Sequence, residues 1–572
     1  MTDRELVIAV LCLAAASFAA IAVPWWVTGL AAIAVVITRW PPLLVVVLVM
    51  VAGTRASDAR AALDGEVRGE VTAGLTVLSD PVVHYGAWRF DVRRGAERDV
   101  AELPRQVAEP QVGERLEVRG VVGRLPAEGW NIARHLRARI GVTEVLARRP
   151  PNVLLRVVNA LRSAIATGAS SLGDQRPLFT GIVMGDDRGQ PPAQVHRFRV
   201  AGLSHLLAVS GQNVAFVLVL LTPALAHLGL RGRWMASIAA LGLFVLVTRA
   251  EPSVLRAVSM ALVAATARLR GRAASPLRIL CVAVICLTVV DPLMWRSAGF
   301  QLSVSATAAL IVVRPWLVRR LPGPRRWREA PATVLAAQVG TMPLLFMLGS
   351  VSSVASLVAN LVAVPVAGAV MVWGLGAGVV SAFVPAEIAA LVHLPTRAML
   401  WWIDSVARLA SSPRWPLLGA AVASTIALGL AAVLSGRPRV VFAGRIVLAA
   451  CVVAACLPPA AGSWRCARGV EVHRDARGAV VVVASGSATE TQLLACLARH
   501  RLSRIDLLVL TSPSAHSTRQ AAALREVTTV GAVLAHPDRV RGANELSPRR
   551  WRVGTITVAV SRREGRSAVE VG

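Results

Sequence analysis

The chain has 572 residues, 55% of them hydrophobic, and a mean hydropathy of +0.59. This composition excludes an ordinary soluble domain, because the apolar residues form long blocks that need a hydrocarbon or deeply buried environment. The formal net charge of +29 comes entirely from arginine, since the sequence contains no lysine. A P-loop needs a lysine on the phosphates, so a nucleotide-driven motor of that class is excluded.

Apolar blocks of membrane-spanning length predict a polytopic α-helical membrane protein with about 11 to 13 spans. The first block could be a cleaved signal peptide, but Asp3 and Glu5 spoil a basic n-region, which favours a retained span. The candidate spans lie near residues 6–23, 25–39, 41–53, 203–229, 233–248, 253–267, 276–294, 298–318, 331–349, 352–372, 374–393, 396–411, 416–435 and 440–461.

A cluster of arginines separates two of these spans. By the positive-inside rule, this loop lies in the cytoplasm. Topology alone explains the cluster better than phosphate binding does. Its members are Arg314, Arg319, Arg320, Arg325, Arg326 and Arg328.

Residues 54–150 lack apolar blocks and show short alternating runs separated by Gly, Pro and Asp, which predict an OB-like β-barrel domain. Such barrels often bind single strands. Trp88 and Phe90 alternate with charged residues, which favours a core face over a stacking platform. Nucleic-acid contact is therefore predicted to be mainly electrostatic, with Arg89, Arg93, Arg94, Tyr85 and Trp88 as the candidate residues.

Residues 151–200 are predicted to contain an amphipathic helix that lies on the membrane surface, followed by a linker. In this interpretation Arg156 and Arg162 occupy the polar face of the helix.

Residues 462–572 follow the last apolar block and alternate strand and helix patterns, which predict a compact α/β domain. The seven cysteines of the chain have no CxxC spacing, and they indicate neither a metal site nor a disulfide framework.

The membrane domain is predicted to consist of two groups of helices. The N-terminal group covers residues 1–53, and the main group covers residues 201–461. The start of the main group carries His205, Ser210, Gln212 and Asn213 within an apolar stretch. Unpaired polar groups are costly in hydrocarbon, so such a cluster is expected to face a water-filled path. If the stretch is one helix, His205 and Gln212 share a face, while Gly211 permits a break.

Arg256 is a permanent cation inside an apolar span and must either pair or face water. Glu251 is the nearest acidic residue in sequence, so a salt bridge and a phosphate-guiding role remain equally open. Weaker signals of the same kind come from Asp291, Gln301, Gln338 and Asn360.

GLSHLLAVSG at residues 202–211 resembles the signature of ComEC-type competence proteins, the inner-membrane channels for DNA uptake. Other blocks resemble the family in the same order, including PSVLRAVSMA around Arg256 and GFQLSVSAT around Gln301. Gln338 and Asn360 match later positions of the pattern, and NIARHLRARIG resembles the end of the family's OB-like domain.

The resemblance implies a channel that carries single-stranded DNA through the membrane, without a cofactor. Its path is expected to include His205, Ser210, Gly211, Gln212, Asn213, Arg256, Gln301, Gln338 and Asn360. The implied partners are single-stranded DNA, membrane lipid, a DNA receptor protein and a separate cytoplasmic ATPase.

Two departures from the family pattern concern mechanism. Where the family often has leucine and histidine after the serine-glycine, this chain has Gln212 and Asn213, so a titratable imidazole is replaced by an amide. The tail resembles a metallo-β-lactamase-like domain, but its metal loop reads LTSPSAHSTRQ. Ser512, Ser514, His516 and Ser517 stand in the ligand positions, and serine hydroxyls do not replace imidazole and carboxylate ligands.

We therefore expect a degenerate, non-enzymatic tail that binds no metal. His536 and Asp538 are better explained as scattered surface residues than as ligands. Two alternative functions remain: a small-solute transporter or flippase on the same fold, and a membrane-tethered metal-dependent nuclease. Inverted repeats would favour the transporter, and tail-dependent phosphodiesterase activity would favour the nuclease.

Overall fold

The protein is described from a computed structural model. The chain forms two compact units: Met1–Arg188, His205–Val351 and Val364–Trp402 make the first, and Gly189–Ser204, Ser352–Ala363 and Ile403–Gly572 make the second. The structure describes residues 2–20, 28, 41–61, 63, 69–84, 86–125, 129–207, 209–272, 274–348, 355–411, 461–467, 469–485, 489–499, 502, 504–512, 515–535, 540, 543–545, 549–563 and 566–571.

Helices account for most of the described chain outside the two β-rich regions. Three 3-10 turns, at Ala169–Gln175, Ser204–Leu206 and Pro292–Arg296, interrupt them. In chain order the helices before the tail are α1 (Asp3–Ala19), α2 (Pro41–Ala61), α3 (Gly129–Ala133), α4 (Val153–Gly168), α5 (Arg176–Met184), α6 (Pro192–Val200), α7 (Gly211–Ala226), α8 (Leu230–Val247), α9 (Pro252–Leu269), α10 (Pro276–Val290), α11 (Ala298–Arg320), α12 (Arg325–Met347), α13 (Ala355–Ser381), α14 (Ala386–Val392) and α15 (Leu394–Ala410).

Within the described residues, five helices are long and apolar enough to cross a membrane: α8, α9, α11, α12 and α13. Gly211–Pro223 and Pro276–Val290 are shorter apolar helices. The predicted spans at 25–39, 416–435 and 440–461 lie mostly or wholly outside the described residues. The chain therefore has the helices of a membrane protein, and the total of about 11 to 13 spans stays a prediction.

The two spans predicted at 352–372 and 374–393 are wrong. The chain instead forms one 27-residue helix, α13, followed by the short helix α14. The glycines near the predicted boundary do not end α13. Gly374 and Gly378 instead allow Phe179 of α5 to pack closely against the helix. Small residues that bring helices together thus resemble a helix break in the sequence.

The N-terminal β-rich region forms a closed ring of strands. Its strands are β1 (Gly69–Val77), β2 (Val82–His84), β3 (Ala87–Arg94), β4 (Glu97–Pro104), β5 (Arg115–Arg124) and β6 (Leu136–Arg149). The ring runs β1–β3–β4–β6–β5 and back to β1, and β4 and β6 pair in parallel while the other neighbours are antiparallel. We call this ring the barrel; α2 extends to Ala61, past the predicted domain start at residue 54.

Alternation of apolar and polar residues produces the barrel, as β5 illustrates. Along RLEVRGVVGR, buried and exposed residues alternate from Arg115 to Val122, which is the period of a strand with one buried face. Leu116, Val118 and Val122 point inward with Phe90 and Ile140. Phe90 is thus a core residue, as its alternation with charged neighbours predicts.

A buried ion network joins the barrel to the membrane helices. Asp80, in the loop after β1, accepts hydrogen bonds from Arg162 of α4 at 2.8 Å and from Arg249 at 2.7 and 3.0 Å. Asp186 binds Arg188 at 2.7 Å. Burial opposes ionisation of Asp80, but the hydrogen bond from Arg249 and the charges of Arg162 and Arg249 outweigh it, so its pKa lies below the usual value. We call these five residues the Asp80 junction.

The junction corrects the predicted placement of Arg162. This side chain is only 5% exposed and lies on the inner side of α4, not on a polar face in the headgroup region. Its Nη1 also donates to the carbonyl of Met184 at 2.9 Å. A second attachment of the barrel is His135, whose Nε2 lies 3.0 Å from Oδ1 of Asp291. Asp291 therefore has a described partner in the barrel.

The tail forms an α/β domain, with helices α16 (Glu490–Arg499) and α17 (Ala515–Val527). One sheet contains β7 (Gly462–Ala467), β8 (Val470–Arg474), β9 (Val480–Ala484), β10 (Arg504–Leu510), β11 (Thr529–Ala535) and β12 (Asn544–Glu545), paired in that order. Another contains β13 (Arg550–Val553), β14 (Ile556–Arg563) and β15 (Arg566–Val571). The larger sheet packs against helices through one apolar cluster and against the smaller sheet through another.

The expectation that the cysteines report no disulfide is wrong for one pair. Cys466 of β7 and Cys496 of α16 form a disulfide, with their Cα atoms 5.5 Å apart. Thirty residues separate the two cysteines in sequence. The packing of α16 beside β7 brings them together, so the spacing of the cysteines in the sequence does not predict the pair.

Candidate functional site

The polar residues at the start of the main membrane region belong to different elements. His205 lies in the 3-10 turn Ser204–Leu206, Ser210 is extended, and helix α7 begins at Gly211. The predicted shared helical face of His205 and Gln212 is therefore wrong. The break permitted by Gly211 occurs at that residue, where the chain changes from an extended segment to a helix.

Despite this break, the four polar residues line one cavity in the first unit, which we call the α7 cleft. Its walls come from α5, from the chain around Ser210, from α7 and from α13, and its volume is about 10 Å³, room for about one water molecule. The lining residues are Ile182, His205, Leu206, Ser210, Gln212, Asn213, Phe216, Val364, Ala367 and Gly368.

Asn213 is the structural member of the polar set. It is buried, and its Nδ2 donates to the carbonyl of Ile182 at 3.0 Å, while the Ser210 hydroxyl lies 3.4 Å from its Oδ1. His205 and Gln212, by contrast, have exposed side chains. The cleft thus combines a hydrogen-bonded amide that holds α7 against α5 with exposed side chains that can meet a ligand.

The cleft is closed by a tight contact between α7 and α13. A Cβ atom at Gly368 would lie 2.6 Å from Cζ of Phe216, closer than real Cβ contacts allow. The absence of a side chain at Gly368 therefore lets α13 approach the ring. In this conformation a nucleic-acid strand does not fit, and passage would require the two helices to separate.

Arg256 of α9 lies beside the start of α7 and does not line the cleft. Its Nε donates to the Ser303 hydroxyl at 2.7 Å and its Nη1 lies 3.1 Å from the sulfur of Met260, and it is 7% exposed. No carboxylate lies within ion-pair distance of Arg256 in the described part of the chain, so the proposed salt bridge to Glu251 is wrong. A phosphate-guiding role stays a prediction.

Gly211 is the point where Arg256 meets α7. A Cβ atom there would lie 2.5 Å from Nη2 of Arg256, so any side chain would displace the guanidinium. The hydroxyl of Ser253, on the same helix as Arg256, donates to the carbonyl of Val209 at 2.9 Å. Helix α9 thus supports the extended segment that leads into α7.

The remaining predicted path residues do not line the α7 cleft. Gln301 donates to the carbonyl of Trp295 at 2.5 Å, and Gln338 lies on α12. Asn360 belongs to the second unit, where its Nδ2 donates to the carbonyls of Ser356 at 2.7 Å and Gly202 at 3.2 Å. The residues predicted to line one path therefore lie in separate places in the structure.

The predicted nucleic-acid contacts of the barrel have different environments. Arg94 binds Glu97 and Asp99 at 3.0 and 2.9 Å and is neutralised by them. Trp88 packs against the barrel core, and its Nε1 donates to the carbonyl of Val107 at 3.2 Å. Arg93 is exposed, Arg89 is half-buried, and Tyr85 lies outside the described residues.

The tail loop at the predicted metal position is held by its own hydrogen bonds. Ser517 is 1% exposed, and its hydroxyl donates to the carbonyl of Ser512 at 2.6 Å. Ser514, the side chain of His516, His536 and Asp538 lie outside what the structure describes. Among the described residues no group of three metal-ligating side chains occurs, and the loss of metal binding stays a prediction.

Sequence reasoning missed the Asp80 junction. Asp80 stands in a loop and Arg249 has a left-handed φ of 56° at the end of α8, and neither position shows a functional pattern. The signal available was Arg162, an arginine in an amphipathic helix whose partner is 82 residues away. Pairing over that distance is visible only in the fold.

Comparison with known proteins gives the following matches. Residues 182–438 match the family described as Competence protein. ComE operon protein 3 of Bacillus subtilis (strain 168) is 28% identical over 280 residues, which is 47% of this chain and 35% of that protein. The uncharacterized protein YcaI of Escherichia coli (strain K12) is 28% identical over 333 residues, 53% of this chain and 42% of that protein.

The chain thus aligns with about two fifths or less of the length of these relatives. No solved structure matches it. The matched region begins within α5 and contains the α7 cleft, Arg256 and α13, whereas the barrel and the tail lie outside it.

Proposed function

Because residues 182–438 of this chain belong to the Competence protein family, we propose that the protein conducts single-stranded DNA across the cytoplasmic membrane during DNA uptake. The family match and the relative named for the ComE operon support a role in DNA uptake. Conduction through the membrane helices is a more specific role than DNA uptake in general, and the chemistry of the α7 cleft supports it.

The observation that carries this proposal is a polar cleft at the start of an apolar helix, lined by hydroxyl, amide and imidazole groups and, among the described residues, by neither a carboxylate nor a guanidinium group. A single strand carries one negative charge per nucleotide, and fixed cations in a low-dielectric path would bind it too tightly to release it. Ser210 and Gln212 offer neutral hydrogen-bonding groups instead, beside the imidazole of His205. Such groups can replace part of the water around phosphates and still let the strand move on.

Opening of the cleft is the conformational step that the proposal requires. In the described conformation, the close approach of Gly368 to Phe216 leaves room for about one water molecule. Separation of α13 from α7 would widen the passage, while the bond from Asn213 to Ile182 keeps α7 attached to α5. The closed contact then also prevents ion leakage when no DNA is present.

The barrel would capture the strand before it enters the helices. Its ring order, with a parallel pair closing an otherwise antiparallel set, supports an OB-like assignment. A DNA receptor protein delivers the substrate and a separate cytoplasmic ATPase pulls it, because the chain has no P-loop lysine. The tail is a degenerate, non-catalytic domain in this scheme.

The test follows labelled double-stranded DNA into the cytoplasm of a transformable strain lacking this gene. The strain is complemented with the intact chain, with His205→Ala, with Gln212→Ala, or with a chain ending at Ala461. We expect the intact and tail-less chains to restore uptake and the two cleft variants to reduce it.

Val219→Ala is the matched control, since this residue of α7 is 65% exposed, carries no polar group and does not line the cleft. It should restore uptake fully. If deletion of the gene leaves uptake unchanged, the channel proposal is wrong and the transporter or flippase alternative replaces it. If the tail-less chain loses both uptake and a phosphodiesterase activity of the intact chain, the tail is a nuclease.

A further inference from the structure

Strand register places one residue from each of five barrel strands in a single transverse row. Arg98 of β4 is opposite Arg93 of β3, and Arg93 is opposite Thr76 of β1. Thr76 is in turn opposite Arg115 of β5, and Arg115 is opposite Arg149 of β6. Directly opposed residues point to the same face of a sheet. We call this row the arginine belt.

The belt lies on the outer face of the barrel. Thr76 is half-buried and the four arginines are exposed, whereas Val77, Val92 and Leu116 beside them point into the core. A surface cleft of about 330 Å³ follows the central part of the row and is lined by Thr76, Arg93, Arg115 and Arg149 among others. With adjacent strands about 4.8 Å apart, the row covers about 19 Å of the surface.

The belt differs in its partners from several other arginines of the barrel. Arg119, Arg139 and Arg148 each bind a carboxylate. Arg93, Arg98 and Arg115 have no carboxylate within ion-pair distance in the described part of the chain, and Arg149 alone among the belt arginines is paired, with Glu117 at 3.1 Å. The row therefore carries about three uncompensated positive charges.

Such an arrangement is unfavourable without an anion. Like charges directly opposite each other destabilise a pair of strands, and Arg93 faces Arg98 in this way. The hydroxyl of Thr76 between Arg93 and Arg115 adds a neutral donor at the centre of the row. A chain of phosphates laid along the belt would remove the repulsion and use every donor.

We propose that the arginine belt binds the phosphodiester backbone of a single-stranded nucleic acid that lies across the strands and curves around the barrel. This inference deepens the proposed function and rests on it for the identity of the ligand. Because the contacts reach only phosphates, binding is independent of base sequence. The belt includes Arg93 from the predicted set and adds Arg98, Arg115 and Arg149, while Arg94 and Trp88 are excluded by their own partners.

A flexible strand fits this geometry better than a membrane does. The belt crosses all five strands of a closed ring and therefore winds around the barrel. Its end strands β4 and β6 are neighbours, but Arg98 is opposite Leu136, at the other end of β6 from Arg149. A flat layer of lipid headgroups can contact one side of such a ring but not the whole row. A single strand can bend around it.

The experiment measures binding of a fluorescent oligothymidylate to the purified full-length protein in nanodiscs of uncharged lipid, over a series of salt concentrations. The test variant is Arg93→Gln/Arg115→Gln. We expect about tenfold weaker binding at low salt and a log–log salt slope shallower by about 1.4, since each lost single-strand phosphate contact removes about 0.7. The thermal midpoint should stay the same or rise, because the repulsion with Arg98 is relieved.

The matched control is Arg119→Gln/Arg139→Gln, which removes the same charge from exposed positions that are ion-paired. It should bind the oligonucleotide within twofold of the unmodified protein. Equal binding by the belt variant and the unmodified protein would overturn the proposal. A second outcome would also overturn it: anionic nanodiscs raise the thermal midpoint of the unmodified protein but not that of the belt variant, while the belt variant still binds DNA. The belt would then contact lipid.

The uptake assay separates this inference from the proposed function. If belt variants bind DNA normally while deletion of the gene abolishes uptake, the belt is wrong and the channel stands. If belt variants lose DNA binding while deletion leaves uptake intact, the belt is a nucleic-acid site on a protein with another transport role.

Discussion

The Asp80 junction and the arginine belt are both rich in arginine, but they differ in their partners. In the junction, Arg162 and Arg249 bind Asp80 and are largely buried. In the belt, Arg93 and Arg115 are exposed and bind no carboxylate of the described chain. The presence or absence of a carboxylate partner therefore distinguishes the arginines that stabilise this fold from those available to a ligand. Substitutions in the junction should therefore cost stability, and those in the belt should cost binding.

The largest expected effect is that of Asp80→Asn. Removing one member of a buried ion network leaves the others uncompensated, so we expect a loss of about 3–5 kcal/mol in the free energy of unfolding. Thermal or denaturant unfolding of the purified chain measures it. Glu144→Gln, which breaks the exposed pair with Arg119, is the control and should change stability by less than about 1 kcal/mol. Equal effects of the two variants would contradict the comparison.

Gly368→Ala should have the next largest effect, because the new Cβ would collide with Phe216. Overpacking of this kind costs up to about 3 kcal/mol. Gly376→Ala on the same helix α13 is the matched control, since a Cβ there meets nothing within 4 Å; it should be neutral or stabilising by up to about 1 kcal/mol. A destabilised Gly376 variant beside an unaffected Gly368 variant would refute the tight contact.

His196 tests whether a buried titratable group stays neutral when the charges described around it are those of arginines. Burial and the charges of Arg199 and Arg197 lower the pKa of His196 to about 4. The unfolded chain, with a pKa near its usual value, then binds more protons between these pKa values, so stability falls as the pH drops from 7 to 5. The expected loss is about 2 kcal/mol.

The measurement for His196 is the unfolding free energy of the protein and of His196→Gln at several pH values. The glutamine variant should show a flatter dependence over this range. Parallel curves would mean that His196 is not the group responsible. Differences between the two curves cancel the contributions of the other histidines.

Within the α7 cleft the same comparison applies to two neighbouring amides. Asn213→Ala removes a buried hydrogen bond to Ile182 and should cost about 1 kcal/mol. Gln212→Ala removes an exposed side chain and should leave stability unchanged while it reduces uptake. Thermal unfolding and the uptake assay together distinguish the two roles. A stability loss at Gln212 alone would reverse them.

The smallest expected effect on stability comes from Glu117→Gln, which frees Arg149 from its exposed partner. The pair contributes less than about 1 kcal/mol to the fold. Binding of the oligonucleotide should instead tighten a few-fold, because the belt gains one uncompensated charge. Anisotropy titration measures it, and unchanged or weaker binding would remove Arg149 from the belt.

The sequence predicted those features that depend on local pattern. Alternation in residues 69–149 predicts β strands, and the alternating strand and helix patterns of residues 462–572 predict the α/β arrangement of the tail. Polar residues between 205 and 213 indicate the cleft, although the helix begins only at Gly211. Local pattern does not contain the pairings made over long distances: Asp80 with Arg162, Cys466 with Cys496, and the strand register that aligns Arg98, Arg93 and Arg115.

The same limit explains the errors within the membrane region. One predicted span ends at residue 372 and the next begins at 374, but the chain forms a single helix there, and Gly374 serves the packing of Phe179 against α13. Arg256 suggests a salt bridge, but both of its partners are neutral: Met260 lies on the same helix and Ser303 on a neighbouring helix. Residue type restricts which contacts are possible, and the tertiary structure selects among them.

Passage of DNA along the α7 cleft is tested most directly by capturing a strand in transit there. A photo-crosslinking residue placed at position 212 or at position 221 of the full chain is irradiated while the cells take up labelled DNA. We predict a covalent DNA adduct from position 212 and none from position 221, because nine residues along an α-helix place Leu221 on the side of α7 opposite Gln212. Adducts from both positions alike, or from neither while uptake proceeds, would contradict passage of DNA along the cleft.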